Sequence, residues 1–76
     1  MKWVWSEDKA KALDITTGNI LLIQGQVIIN SLHYTVWFQA NNPQRLNTHI
    51  NTFDTLQAAQ EFITNLTGAV NGGSHD

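Results

Sequence analysis

The residues that could do chemistry are few: three histidines, His33, His49 and His75, with Asp54 as their nearest candidate carboxylate. Two imidazoles on paired strands, joined by Asp54 or His75, would make a nitrogen–oxygen donor set for a divalent metal. Zinc normally takes three or four ligands, and this chain has no cysteine and no His-x-x-x-His spacing. The pattern reads as surface or partly buried histidines on a sheet, and neither metal nor cofactor is expected. Ser31, His33 and Asp54 can be written as nucleophile, base and orienting acid. Ser31 and His33 fall two apart on one strand, which makes a nucleophile–base hydrogen bond awkward. There is no Gly-rich phosphate loop, no nucleophile elbow and no pair of carboxylates at a fixed spacing. The chain reads as a non-enzyme.

Trp3, Trp5 and Trp37 are the other chemical candidates. Indoles stack on bases and sugars, anchor protein interfaces, or fill the core of a small domain. Stacking on nucleic acid needs a basic groove beside it. Lys2, Lys9, Lys11 and Arg45 are the whole cationic supply, against six acidic residues, for a net charge of −2. That balance argues against a phosphate-bearing partner and against an anionic membrane surface. A protein interface is the better use for those tryptophans that the core does not take.

The elements that must position these residues follow from periodicity. In "FDTLQAAQEFITNLTG", Leu56, Ala59, Phe62, Ile63 and Leu66 make one helical stripe, Asp54 reads as an N-cap with Gln57 as its capping-box partner, and Gly68 as the stop. This predicts a helix over 55–67. "HYTVWFQA" and "RLNTHINT" read as a hairpin across the turn "NNPQ". Tyr34, Val36 and Phe38 share one face with Leu46 and Ile50, where the helix packs. His33, Thr35, Trp37 and Gln39 share the other. "KWVWS" reads as a brief strand and "SEDKAKAL" as a short helix capped by Ser6.

The hairpin followed by F-x-T-L-x-x-A, carried by Phe53, Thr55, Leu56 and Ala59, is similar to the three-strand-plus-helix arm-binding domains of phage-type integrases. The similarity spans residues 33–67 and implies a sheet-plus-helix topology. Those domains place basic residues on the sheet, where this chain has Thr, Gln, Asn and His with Arg45 alone, so the resemblance implies the fold and not the activity.

"ILLIQGQVII", residues 20–29, carries seven large aliphatics within a chain of 76 residues. It reads either as one strand or as a hairpin turning at Gly25-Gln26. Either way it leaves apolar side chains on both faces. A single helix is about 10 Å wide and strands lie about 4.8 Å apart, so one helix covers roughly two strands on one face. The expected fold is α+β: an antiparallel sheet of about four strands with the C-terminal amphipathic helix on one face. Residues 1–70 form the domain and 71–76 a polar tail. The uncovered face is expected to be an interface using Trp3, Trp5, Leu21, Ile23, Val27, Ile29 and Trp37. Leu21, Ile23, Val27 and Ile29 exchange with their opposite set if the strand faces the other way.

The partner is expected to be a second copy of the chain, as a homodimer or higher oligomer, or another protein. Charged residues are 13% of the chain, about half the share in ordinary soluble domains. The absence of cysteine and of a long apolar run suits the cytoplasm. A small, acidic, cysteine-free chain would suit an accessory or phage-derived role. The alternative function is nucleic-acid binding through the Asn/Gln/His face of the 33–51 hairpin.

Overall fold

The computed structural model describes residues 2–71. Strands β1 (Trp3–Trp5), β2 (Lys11–Asp14), β3 (Ile20–Ile28), β4 (Ser31–Gln39) and β5 (Thr48–Phe53) precede helix α1 (Leu56–Thr67) and strand β6 (Val70–Asn71). They form one six-stranded sheet in the order β5-β4-β3-β2-β1-β6. Strands β1 to β5 run antiparallel to their neighbours, and β6 pairs parallel to β1. The α+β class and the single C-terminal helix stand. The expected sheet of about four antiparallel strands is corrected to a mixed sheet of six. The strands beyond those expected are β2, whose residues 11–13 fall in the stretch read as a helix, and β6, whose two residues are too short to show a period. Asn71, expected in the polar tail, belongs to β6, and residues 72–76 lie outside the described residues.

Helix α1 joins the two opposite edges of the sheet. Those edges are five strand spacings apart, roughly 24 Å, while twelve residues of helix span about 18 Å. The helix must therefore run across the strands, not along them. Its buried residues Ala59 and Ile63 meet Trp5, Ala12, Leu21 and Val36, one residue from each of four adjacent strands. The sequence estimate of two strands covered was too low because it laid the helix along the strands. Ala12 and Ala59 are both fully buried, and their small side chains let helix and sheet approach closely.

Local chemistry sets the ends of the helix. Thr55 is extended at φ −131°, and its Oγ1 accepts the N–H of Ala58 at 3.1 Å. Gly68, at φ 71°, donates its N–H to the Thr64 carbonyl and closes the last turn. The cap is Thr55 and not the expected Asp54. Gln57 bonds Glu61 one turn on, and no capping box forms.

The helix expected in "SEDKAKAL" is corrected to a turn over residues 6–10 followed by the first three residues of β2. Ser6 Oγ accepts the Lys11 N–H and donates to Asp8, whose carboxylate accepts the Ala10 N–H. These short side chains satisfy the backbone groups a helix would have used. Residues 20–28 are one strand. The turn falls at Ile29-Asn30, both at positive φ (47° and 64°), as a two-residue hairpin loop requires. Gly25 is therefore a mid-strand residue opposite Tyr34 and not a corner.

Tyr34, Val36 and Phe38 face the helix as expected. Leu46 and Ile50 do not join them. Leu46 is 92% exposed in the loop before β5. The register shifts between Val36 and Trp37, so Asn51 stands opposite Val36 and Ile50 is the extra residue of the bulge.

Candidate functional site

Cross-strand register decides which side chains face away from α1. Leu22 pairs with Trp37, Ile20 with Gln39, Leu13 with Ile20, Val4 with Leu13 and Val4 with Val70. Directly paired residues share a face. Val4, Leu13, Ile20, Leu22, Trp37 and Val70 therefore form one apolar stripe across the sheet face that the helix leaves open. Leu13, Ile15 and Val70 are each at least 40% exposed. Val4, Leu13, Ile15 and Ile20 line an apolar depression, with the aliphatic Lys11 stem at its rim. Toward the β3–β4 turn the same face becomes polar, carrying Gln24, Gln26, His33 and Thr35. The molecule is only 18 Å through its thinnest axis, room for one helix layer on one sheet layer.

The seven expected interface residues separate by face. Trp5 and Leu21 are buried in the core under the helix, and Trp3 and Ile23 pack against that core. These four do not belong to the open face. Trp3 and Trp5 pair with Asp14 and Ala12, which puts both indoles on the helix side. Val27 is exposed near the tip of the β3–β4 hairpin, and Ile29 is 91% exposed in its turn. Of the seven, Trp37 lies on the open face. It is joined there by Ile20 and Leu22, from the opposite set of the 20–29 stretch. Leu13, Ile15, Val4 and Val70 were missed. The alternation of Leu13 and Ile15 around Asp14 was the available signal.

Trp37 stacks edge-on against His49, with centroids 5.5 Å apart and planes at 75°. Its indole N–H is buried and has no hydrogen-bond partner. A buried donor left unpaired is costly, by about 1–3 kcal/mol. Thr35, also on this face, is buried and donates its hydroxyl to Gln26 Oε1.

The histidines do not converge. His33 Nδ1 lies 3.2 Å from Asp54 Oδ1, and His49 Nε2 is 2.9 Å from Thr52 Oγ1. Register sets His33 opposite Gln26 and His49 opposite Trp37, so the two are not cross-strand neighbours. Among the described residues no three potential metal ligands gather, and His75 lies outside them. His33 and Asp54 do meet, as two members of the triad written from the sequence. Ser31 pairs with Ile28 at the hairpin tip, two positions along the strand from His33.

Asp14 is the one buried carboxylate among the described residues, and its work is local. It accepts the Thr17 hydroxyl and the N–H groups of Thr16 and Lys2. Burial pushes its pKa up, but these hydrogen bonds to the charged form outweigh burial and hold it below the ordinary carboxylate value. Asp8 is also held low, by the Ser6 hydroxyl first and the Ala10 N–H second.

The chain matches no protein-family model, no curated protein and no solved structure. No helix among the described residues is long and apolar enough to cross a membrane.

Proposed function

We propose that the protein is a small non-enzymatic interaction module, a homodimer or an adaptor, that works through the open face of its sheet. The observation that supports this is the apolar stripe from Val70 through Val4, Leu13, Ile20 and Leu22 to Trp37, which no element of the described chain covers. Contiguous apolar surface of this kind usually marks a contact with another macromolecule. The nucleic-acid alternative draws on the polar half of the same face. Among the described residues, register places one cation on this face, Lys11, and it lies beside Leu22 in the apolar half, too little charge for phosphate binding. The cysteine-free composition suits a cytoplasmic setting.

Leu13→Lys tests the reading. Leu13 is 40% exposed and outside the core, so the charge should leave the fold intact by circular dichroism. It should weaken self-association, or capture of a partner protein, at least tenfold. Unchanged association in both measurements would show that the stripe is ordinary surface.

A further inference from the structure

The β3–β4 hairpin is longer than the strands beside it. Pairing of β2 with β3 ends at Lys11–Leu22, with one further bond from the Ile23 N–H to the Ala10 carbonyl. Beyond Ile23, β3 is a bare edge. Its backbone directions can be read from the turn. Ile28 and Ser31 flank a two-residue loop, so they exchange hydrogen bonds with each other, and so does every second pair back along the arm. Residues 24, 26 and 28 therefore point their backbone groups at β4. Gly25 and Val27 point theirs outward, as Ile23 does toward Ala10.

The far edge of the sheet is guarded, and this one is not. On β5 the bulge breaks the ladder, and the Asn51 side chain accepts the Thr52 N–H at 2.8 Å. Along Gln24–Ile28 there is no bulge, proline or charge. Residues 15–44 contain no Asp, Glu, Lys or Arg at all. Every residue from Gln24 to Leu32 is exposed, including Val27, Ile29 and Leu32 at more than half. A Cβ built on Gly25 meets only Leu32 and Tyr34 of β4 within 4 Å, so above the sheet face no other segment lies close to this position.

We propose that Gln24–Ile28 pairs antiparallel with the same segment of a second copy, about a two-fold axis at Gln26. The register follows from the outward groups. Gly25 of each copy faces Val27 of the other, and the two pairs exchange four backbone hydrogen bonds. The segment suits itself because an uncharged edge meets its own copy with no like-charge repulsion. A protein strand is the occupant because it alone pairs the outward N–H and C=O groups, which a lipid environment would leave unpaired. The Gln26 side chains meet at the axis. Each already accepts the Thr35 hydroxyl through Oε1, so its amide N–H groups remain to donate across the interface. This contact is separate from the open-face stripe and does not depend on it.

The test uses the full chain and two edge variants. Val27→Pro removes one outward N–H without touching a hydrogen bond to β4. Gln26→Lys sets two cations against each other at the axis. Light scattering of the native chain should show the 8.5 kDa mass doubling as concentration rises. Amide exchange at Gly25 and Val27 should slow in step. Val27→Pro should abolish both effects. Gln26→Lys should weaken association at least tenfold at low salt, with recovery at high salt. A native chain that stays monomeric at millimolar concentration overturns the proposal. So does a dimer that survives both variants, or one lost only in Leu13→Lys.

Discussion

Asp14 shows how much one residue carries in a chain this small. Its carboxylate ties the start of β1 to the 14–19 turn through Lys2, Thr16 and Thr17. Because its pKa in the folded protein lies below the unfolded value near 3.8, the linked stability is fully present above that value. It is lost as pH falls through the lower, folded pKa. Asp8 adds to the loss in the same window. Urea midpoints measured from pH 7 down to pH 2 should therefore fall steeply below about pH 4. Asp14→Asn should start lower at pH 7 and fall less. An identical slope in the variant would remove Asp14 from the account. Its burial could not be read from the sequence, because nothing in "ALDITTG" marks the carboxylate as one that the fold covers.

At the scale of elements, the helix was the most legible part. Its stripe of Leu56, Ala59, Phe62, Ile63 and Leu66 needs no partner to be recognised. Its start was off by one residue, because Asp54 and Thr55 are both good caps; Thr55 takes the role, while the Asp54 carboxylate lies 3.2 Å from His33. Thr55→Ala should cost about 1 kcal/mol and Asp54→Ala much less, as read from thermal midpoints. The reverse order would restore Asp54 as the cap. The "SEDKAKAL" turn was misread for a related reason. Ser6 and Asp8 bond the backbone equally well at a helix start and in a tight turn, and sequence pattern does not separate the two.

At the scale of the whole molecule, the crossing helix organises everything else. It reaches four strands because it links opposite edges of the sheet, and it can lie that close because Ala12 and Ala59 are small. Ala59→Leu should force helix and sheet apart and destabilise the protein by about 1–3 kcal/mol. Urea unfolding would check it, and a neutral result would mean that the layer has slack. The same crossing takes Trp5 and Leu21 into the core, with Trp3 and Ile23 packed against it, and leaves Leu13, Ile20, Leu22 and Trp37 outside. The apolar excess of "ILLIQGQVII" is thus divided three ways. Part lies under the helix, part on the open face, and part on a hairpin tip that extends beyond its neighbours.

The sequence by itself determined the C-terminal helix, the strands at 3–5, 31–39 and 48–53, the α+β class, and the apolar excess of residues 20–29. These depend on local periodicity and composition. On β4 it placed the helix on the Tyr34, Val36 and Phe38 side, but on β1 and β3 it could not determine which face the helix would take. A period of two marks two faces but does not say which is inside. That choice was made by the tertiary structure, through the register of β1 on β2, the bulge opposite Val36, and a helix that has to cross from β5 to β6. Each of these joins residues far apart in the chain, and local pattern carries no record of them.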